Sequence, residues 1–565
     1  MNNAISIAYF SMEIALESVI PTYSGGLGVL AGDTLRSAAD AGIAMAGITL
    51  ASRKGYFLQR LDEQGNQSEE PVNWPIGDYL LPLDIQTTVE IEDRQVNVRA
   101  WRYDILGNSG HMVPVYLLDT DVEGNTEFDR SLTDRLYGGD DYYRLCQEVV
   151  LGIGGIRILR ALGHSDIERY HMNEGHSSLL IFELMAELTA WLGECKSTFQ
   201  HIDQIRRKCV FTTHTPVAAG HDRYPAALAY RVLTQNNPFK DCFKEINYKN
   251  ELNLTHLALE SSYYINGVAR KHGDTSRKLF HDAYNVDFIT NGVHAYTWAA
   301  GAMRKLFDKR IPDWRSDNMS LRYAIKIDRE EVWQAHQQDK RLLIEYVNKT
   351  CNAGLDNHVM TLGFARRATP YKRSTLIFTD VERLQSIASH SGPLQIIFAG
   401  KAHPKDNEGK ELIRQIFKIK ATLNNTIRIS YLPDYDMEIG RLLTAGVDLW
   451  LNTPQPPMEA SGTSGMKAAI NGVPSLSTLD GWWIEGCIEG VTGWAISNSQ
   501  QSKDSSKTDS EAEILYSKLE NIIVPMYYHN RNDYIDIMRN TIAINGSFFN
   551  TERMVNQYVT KAYFR

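Results

Sequence analysis

The chain has 565 residues, of which 43% are hydrophobic and 22% charged, so it can bury the cores of several domains and does not have the composition of a disordered protein. Its 59 basic and 68 acidic residues give a net charge of −9, which excludes a general attraction to nucleic acid or to anionic lipid. No apolar run is long enough to span a bilayer, and the first residues resemble neither a signal peptide nor an anchor. The six cysteines form no C-x-x-C pair, so we predict no metal site, no disulfide framework and a cytoplasmic location.

Short apolar or β-branched segments alternate with longer segments of helical periodicity along the chain. This alternation predicts an α/β fold with two doubly wound, Rossmann-like domains facing a cleft at the carboxyl ends of their strands. The clearest predicted helices are residues 140–163, 177–193 and 409–423. The predicted strands, in chain order, are residues 5–10, 43–50, 210–215, 286–292, 358–365, 394–400, 428–432 and 447–452.

A polar, proline-containing connection around Arg310 to Ser320 separates two series of strands and helices. We therefore predict an N-terminal domain of residues 1–305 and a C-terminal domain of residues 306–565, whose last helix packs back on the first domain. Residues 497–510 are Ser-rich and have no apolar periodicity, which predicts an exposed loop of no assigned function.

A glycine-rich segment follows the first predicted strand. In YSGGLGVLAG, Gly25, Gly26 and Gly28 join a strand to a helix and leave backbone N–H groups at the helix start. Gly26, Gly28 and Ala31 also match the dinucleotide pattern G-x-G-x-x-A, but the match is short and no acidic residue is obvious at the expected strand end. We interpret the segment as a loop for an anion or for a close backbone approach.

Two histidines and an asparagine stand at the ends of later predicted strands. His176 lies in YHMNEGHSS, His214 in FTTHTPVAAGHDRYP and Asn291 in ITNGVHAYTW. A lone histidine is more often a core or loop residue than a functional one. Their shared position is more informative, because every segment singled out here lies at a strand-to-helix junction on the predicted cleft edge.

Four cations follow the predicted strand at residues 358–365. They are Arg366, Arg367, Lys372 and Arg373 in GFARRATPYKRST. Such a set can hold one or two phosphates by charge-assisted hydrogen bonds. A solvated basic turn is the alternative interpretation of these residues taken alone.

The most informative segment is EASGTSGMKAAINGV, in which a predicted strand leads into a short helix. Gly462 and Gly465 allow a tight turn, and Thr463 and Ser464 add hydroxyl donors at the helix start, a combination that suits a phosphate. Lys467 follows two residues after Gly465. The Walker pattern G-x-x-x-x-G-K-[ST] is not matched, and an ordinary turn with a surface lysine is the alternative.

Six segments together resemble the α-glucan (glycogen/maltodextrin) phosphorylase family: YSGGLGVLAG, NEGHSS, THTP, TNGVH, GFARRATPYKR and EASGTSGMKAAINGV. The resemblance runs from about Ala8 to Asp480. It implies a two-domain fold of the glycosyltransferase B type and an enzyme in which inorganic phosphate cleaves the terminal α-1,4-glucosidic bond and releases glucose 1-phosphate with retention. It also implies pyridoxal 5'-phosphate (PLP) as a cofactor held by Lys467 as a Schiff base.

The resemblance assigns the groups around the phosphates. The cofactor's phosphate would relay a proton through the substrate phosphate, so Lys467 would be an anchor rather than a base. Arg367 and Lys372 match the family's catalytic cations at the substrate phosphate, and the N–H groups of Gly26 and Leu27 match the glycine loop facing it. The remaining matches to cofactor-binding positions are Thr463, Ser464, Arg366 and, by spacing to Glu459, Tyr435.

The resemblance also assigns sugar contacts. His214, which we also predict to be catalytic, and Asn291 match contacts on the 6-position side of the glucose, and His176 matches a histidine lining the site. Polar contacts of this kind reject wrong sugars, because an unpaired buried group is costly. Three residues match family contacts to the 2- and 3-hydroxyl groups of the glucose: Tyr371, Glu459 and Ser461. Gly462, in the loop beside them, is also predicted to bind the substrate.

The chain departs from the long animal-type enzymes in its GTSGMK and NEGH motifs and in its short length, and it looks like a compact bacterial-type member. We therefore expect no nucleotide or phosphorylation control and a possible homo-oligomer, with glycogen, starch or maltodextrin as substrates. Two alternatives remain: a nucleotide-sugar-dependent glucan synthase, opposed by Tyr23 where synthases carry a K-x-G-G lysine, and a glucan-binding relative without activity.

Overall fold

The computed structural model describes residues 5–217, 221–281, 283–423, 425–497 and 507–564. The chain forms two units, the first made of Met1–Phe57, Pro71–Thr290 and Met554–Arg565, and the second of Leu58–Glu70 and Asn291–Arg553. In the described part of the chain, no helix combines the length and the apolar character needed to cross a membrane.

The strands carry the architecture, and those predicted from the sequence are confirmed within a few residues. In chain order they are β1 (Ile7–Ser11), β2 (Met45–Leu50), β3 (Leu58–Leu61), β4 (Gln67–Glu70), β5 (Leu81–Ile91), β6 (Arg94–Leu106), β7 (Met112–Asp119), β8 (Arg169–Asn173), β9 (Cys209–Thr212), β10 (Arg223–Pro225), β11 (Asn247–Tyr248), β12 (Glu251–Asn253), β13 (Tyr264–Gly267), β14 (Val286–Phe288), β15 (Met360–Ala365), β16 (Leu394–Ala399), β17 (Arg428–Leu432), β18 (Leu449–Asn452), β19 (Ser475–Thr478) and β20 (Gly493–Ile496).

The helices occur between these strands, as the alternation of patterns predicts. They are α1 (Gly26–Asp40), α2 (Ile76–Tyr79), α3 (Glu127–Arg130), α4 (Asp141–Val149), α5 (Gly155–Ala161), α6 (Leu180–Leu192), α7 (Phe199–Arg206), α8 (Ala226–Val232), α9 (Asn237–Asp241), α10 (Phe243–Ile246), α11 (Leu254–Glu260), α12 (Arg270–Leu279), α13 (Ala295–Trp298), α14 (Gly301–Arg310), α15 (Arg329–Cys351), α16 (Val381–His390), α17 (Asn407–Leu423), α18 (Met437–Gly446), α19 (Thr463–Ile470), α20 (Trp483–Gly486), α21 (Lys507–Lys518), α22 (Val524–His529), α23 (Arg531–Asn540) and α24 (Thr551–Tyr558).

The first unit is built on a sheet with strand order β14-β13-β9-β8-β1-β2-β7-β6-β5. Strands β14 to β7 pair in parallel, whereas β7, β6 and β5 form an antiparallel extension that the sequence analysis did not predict. In β1, Ile7 and Tyr9 join one apolar cluster and Ala8 and Phe10 join another. Because successive side chains of a strand point to opposite faces, both faces of the sheet are covered, as expected for a doubly wound domain.

The second unit is built on a fully parallel sheet with strand order β17-β16-β15-β18-β19-β20. Its core includes Ile397, Leu443 and Trp450. The hairpin of β3 and β4 also belongs to this unit, although it is encoded far upstream. The predicted fold class of two Rossmann-like α/β domains is confirmed for each unit.

The division between the units differs from the predicted boundary at residue 305. The first long segment ends at Thr290, because α13 and α14 pack within the second unit. The carboxylate of Asp339 in α15 accepts the N–H groups of Ala302 and Met303 at 3.1 and 3.2 Å, which anchors the start of α14. The polar connection after Arg310 is therefore a loop inside the second unit.

The end of the chain, Met554–Arg565, belongs to the first unit. The hydroxyl group of Tyr558 lies 3.0 Å from Thr212 Oγ1, and that of Tyr563 lies 2.7 Å from His171 Nδ1. Most of the predicted Ser-rich loop, residues 498–506, lies outside the described residues, and residues 507–510 are helical because α21 begins at Lys507.

A buried ion pair fixes the amino ends of β15 and β18. Lys340 Nζ lies 2.5 Å from Asp448 Oδ2 and also donates to the carbonyl group of Val359 at 2.9 Å and to Tyr527 at 3.1 Å. Both charged side chains are fully buried, and His336 Nε2 lies 2.8 Å from the other carboxylate oxygen. Each charge is therefore compensated by the other.

Lys340→Met is expected to destabilise the second unit by about 3 to 5 kcal/mol, because it leaves the buried Asp448 carboxylate without its cation. Urea unfolding measures the difference. Lys349→Met, on an exposed position of the same helix, is the control and should change the free energy of unfolding by less than about 0.5 kcal/mol. Equal effects of the two variants would contradict this account of the pair.

Candidate active site

The glycine loop of the first unit is held by Glu13, a buried carboxylate that follows β1. This carboxylate accepts the N–H groups of Ser24 and Gly25 at 2.5 and 3.2 Å and the hydroxyl group of Tyr137 at 3.0 Å. Helix α1 begins at Gly26 without a side-chain cap. The N–H groups of its first turn, those of Gly26 and the predicted Leu27 among them, are thus available for an anion.

His214 lies at the carboxyl end of β9 and is held by its neighbours on β8. Its Nε2 lies 2.6 Å from Asn173 Oδ1, and its backbone N–H donates to Glu174 at 2.8 Å. Asn173 donates its own amide N–H to Ser11, so its Oδ1 is the acceptor and the Nε2 of His214 carries the proton. Burial lowers the pKa of His214 to about 3, which keeps the imidazole neutral with Nδ1 as an acceptor.

Glu174 occupies a strained backbone position, with a φ of 74°. Its carboxyl group accepts hydrogen bonds from the N–H groups of Gly175 and His214 and from the hydroxyl group of Thr215. These bonds hold in place the residues that directly follow β8 and β9. Even so, burial raises the pKa of Glu174 from its usual 4.5 to about 7.

Glu174 should make the first unit less stable as the pH rises. The unfolded chain loses this proton near pH 4.5, whereas the folded chain keeps it to about pH 7, so the free energy of unfolding falls between these values and is constant above them. The fall is on the order of 3 kcal/mol. Urea unfolding at pH 5 and pH 7.5 should show it in the wild type and not in Glu174→Gln. Exposed Glu168→Gln is the control, and parallel pH profiles for wild type and Glu174→Gln would refute the expectation.

His176 faces a partly buried pair of charged side chains. Its Nε2 lies 3.3 Å from Asp222, whose carboxylate also pairs with Arg144 at 3.0 Å. Burial lowers the pKa of His176 to about 4, and its Nδ1 is buried with no hydrogen-bond partner among the described residues. The imidazole is thus neutral and retains one unused acceptor.

In the second unit, the predicted cations meet a single carboxylate. Arg366 Nη2 and Lys372 Nζ lie 2.8 and 2.6 Å from the same oxygen of Glu459, and all three side chains are more than nine-tenths buried. Burial alone would raise the pKa of Glu459, but the charges of Arg366 and Lys372 outweigh it and lower the pKa to about 2. The cluster therefore keeps a net positive charge of one at neutral pH.

Two further residues complete this group. Arg367 is exposed, and we find no ion-pair partner for it in the described ranges. Tyr371 lies beside Lys372, whose ammonium nitrogen is 4.5 Å from the ring centroid. Arg367 is thus the cation of the set that is open to an incoming anion.

Helix α19 presents Lys467 and begins without a side-chain cap at Gly462, which has a φ of 91°. Thr463 and Ser464 form its first turn, and Ser464 accepts a hydrogen bond from the indole of Trp450 at 3.3 Å. The side chain of Lys467 is buried, with its ammonium nitrogen 3.6 Å from the ring centroid of Trp298. A buried primary amine against an aromatic face, on a helix with open N–H groups, can hold an aromatic phosphate-bearing ligand.

Three more predicted residues lie in the second unit. Tyr435 packs against Gly440, where a methyl group would lie 2.7 Å from the phenol oxygen. Asn291, which falls in the second unit and not in the first, and Ser461 each have a buried side-chain oxygen without a hydrogen-bond partner among the described residues. Such atoms are the ones a polar ligand satisfies.

Sequence reasoning missed several residues that hold the predicted ones. Glu13 was detectable as a charge inside an apolar segment, and Glu174 as part of the NEGH motif. Asp480, whose carboxylate accepts the N–H groups of Glu459 and Gly481, has its pKa raised to about 6 by burial and gave no local signal. Trp298 and Asp222 likewise gain their roles only from contacts that are distant in sequence.

Comparison with known proteins agrees with the motif resemblance. A family model described as carbohydrate phosphorylase matches residues 241–493. The maltodextrin phosphorylase of Thermococcus litoralis is 38% identical over 99% of this chain and 70% of its own length. The glycogen phosphorylases of Aquifex aeolicus and Mycobacterium tuberculosis are each 35% identical over 99% of this chain and over 86% and 70% of their own lengths. The chain therefore belongs to the α-glucan phosphorylase family of glycosyltransferases.

Proposed function

We propose that this protein is a PLP-dependent α-1,4-glucan phosphorylase. Inorganic phosphate attacks the terminal glucosyl unit of a glycogen, starch or maltodextrin chain and yields α-D-glucose 1-phosphate with retention, together with a glucan shorter by one residue. The observation that carries this proposal is the buried amine of Lys467 on the face of Trp298, on a helix whose first turn is uncapped.

The residues of the second unit fit the cofactor. Lys467 would hold PLP by its aldehyde carbon, Thr463 and Ser464 would meet its phosphate, and Arg366 would supply a cation to that phosphate. Tyr435 and Trp298 supply aromatic surface. When bound, PLP supplies a second phosphate group that exchanges a proton with the substrate phosphate.

Bond cleavage needs negative charge beside the anomeric carbon and a proton on the departing O4 oxygen. Arg367 binds the substrate phosphate, and Lys372 offsets the repulsion between two neighbouring phosphates. The phosphate oxygen forms the new bond to C1 as the C1–O4 bond breaks, and the substrate phosphate gives its proton to O4. Glu459 keeps Lys372 and Arg366 oriented while leaving one net positive charge for the phosphates.

Each unit by itself carries polar groups that suit a sugar. His214 offers Nδ1 as an acceptor, and His176 has an Nδ1 that no group in the described part of the chain uses. Asn291 and Ser461 have oxygens without a hydrogen-bond partner among the described residues, and Tyr371 and Glu459 complete the set of sugar contacts. The N–H groups at the start of α1 bind the substrate phosphate. A sugar that leaves any buried group unpaired is rejected.

The test is phosphate-dependent release of glucose 1-phosphate from maltodextrin by protein saturated with PLP. We expect release that requires both phosphate and PLP. Incorporation of glucose from ADP-glucose or UDP-glucose, with no phosphorolysis, would identify a glucan synthase instead. Binding of maltodextrin with neither reaction would identify a glucan-binding protein without activity.

A further inference from the structure

Asn471 joins the helix that carries Lys467 to the segment that carries Trp298. Its amide nitrogen donates to the carbonyl oxygens of Lys467 at 2.9 Å and Trp298 at 2.8 Å. Its amide oxygen accepts the N–H of Ala300 at 2.8 Å. Only 1% of Asn471 is exposed, so water does not compete for these bonds.

The three bonds need an asparagine at this position. Asn471 directly follows α19, one helical turn after Lys467, so its short side chain reaches the carbonyl group of Lys467 and the neighbouring segment together. Aspartate has no N–H to donate, and serine has one donor on a shorter side chain. Alanine, aspartate or serine at this position therefore leaves at least one buried backbone group without its partner.

These bonds fix the surroundings of the cofactor amine. The backbone of Trp298 is held to that of Lys467 through one amide group, and the indole lies 3.6 Å from the amine. The indole also lies close to Gly440, where a methyl group would be 3.7 Å from a ring atom. The position of the indole relative to the amine thus depends on Asn471.

We propose that Asn471 is a positioning residue for the cofactor lysine, which sets the indole of Trp298 against the amine and so fixes how firmly and in what orientation PLP is held. This inference rests on the proposed function, in which Lys467 binds PLP. Asn471 itself touches neither the cofactor nor the substrate; it acts through Trp298 and Lys467.

The experiment compares Asn471→Ala and Asn471→Ser with wild type and with Asn348→Ala. Asn348 is a matched control, because its amide also bridges helix and loop in the second unit, through the N–H and carbonyl groups of Leu355 at 2.7 and 2.9 Å. PLP itself is the probe. The readouts are the dissociation constant of PLP, the circular dichroism of the bound cofactor's absorption band, the borohydride-trapped adduct at Lys467, and thermal unfolding.

We expect Asn471→Ala to raise the dissociation constant of PLP about tenfold and to weaken the cofactor's circular dichroism, with a smaller change in Asn471→Ser. Asn348→Ala should lower the unfolding temperature to a similar extent and leave both cofactor signals as in wild type. The inference is overturned if Asn471→Ser, or a folded Asn471→Ala, binds PLP like wild type, or if Asn348→Ala shows the same losses. Failure of the wild type to take up PLP would instead refute the proposed function.

Discussion

Lys467→Ala is expected to abolish covalent uptake of PLP and to lower phosphorolysis by about 10²- to 10⁴-fold, the range that a general acid–base group contributes. The reason is that alanine offers no amine to hold the cofactor aldehyde, so the second phosphate group is lost from the site. Borohydride reduction of the wild type should leave a pyridoxyl group on the peptide that contains Lys467. The variant should show no such adduct after the same treatment.

Lys418→Ala is the control, because that lysine is on the same unit and its side chain is 73% exposed. It should keep the cofactor and the rate of glucose 1-phosphate release. An adduct on another lysine of the wild type would show that the anchor is wrongly assigned. Full phosphorolysis by Lys467→Ala would show that the reaction does not depend on this residue.

Lys372→Ala is expected to lower kcat by about 10²- to 10³-fold, the cost of removing one preorganised group that stabilises developing charge. The lysine supplies a buried positive charge 2.6 Å from Glu459, and without it Glu459 is paired with Arg366 alone. The net charge of the cluster then falls from one to zero. The repulsion between the cofactor phosphate and the substrate phosphate would then not be offset by this cation.

The measurement is kcat and KM for phosphate and for maltodextrin, with thermal unfolding to confirm that the variant is folded. Lys410→Ala, which removes a lysine paired with Glu69 in the same unit, should leave kcat unchanged. Lys372→Arg should recover part of the rate, because it keeps the charge with a different geometry. A folded Lys372→Ala variant with wild-type kcat would remove Lys372 from the proposed mechanism.

The fold class could be predicted from the sequence, and the candidate site of the second unit could be proposed from it, because their signals are local. The strands at residues 394–400 and 428–432 are short apolar runs, and α19 follows a glycine turn that brings Thr463, Ser464 and Lys467 into one helix. Arg366 and Lys372 lie six residues apart after one strand. Local pattern is enough where the neighbours in space are also neighbours along the chain.

The pairings of these residues could not be predicted in the same way. Glu459 follows Lys372 by 87 residues, yet their charged atoms are 2.6 Å apart. The antiparallel strands β5 and β6 and the hairpin of β3 and β4 were missed, because alternation of half-exposed residues gives a weaker signal than a buried apolar run. Strand β7 was also missed, although most of its residues are buried. The boundary at residue 305 was predicted because a polar loop was interpreted as a linker, whereas the division between the two units falls after Thr290.

By itself the sequence determined that this is an α/β protein with glycine-rich and cationic turns at the ends of its strands and with a lysine just after one of them. Those properties depend on the positions of glycines, on charged residues and on the periodicity of apolar residues. Each of these features can be recognised within a few residues of the sequence. Tertiary structure alone decided that Asn291 belongs to the second unit, that Glu13 holds the glycine loop, and that Trp298 and Asn471 surround Lys467. These contacts come from packing of distant segments, whose register no local pattern encodes.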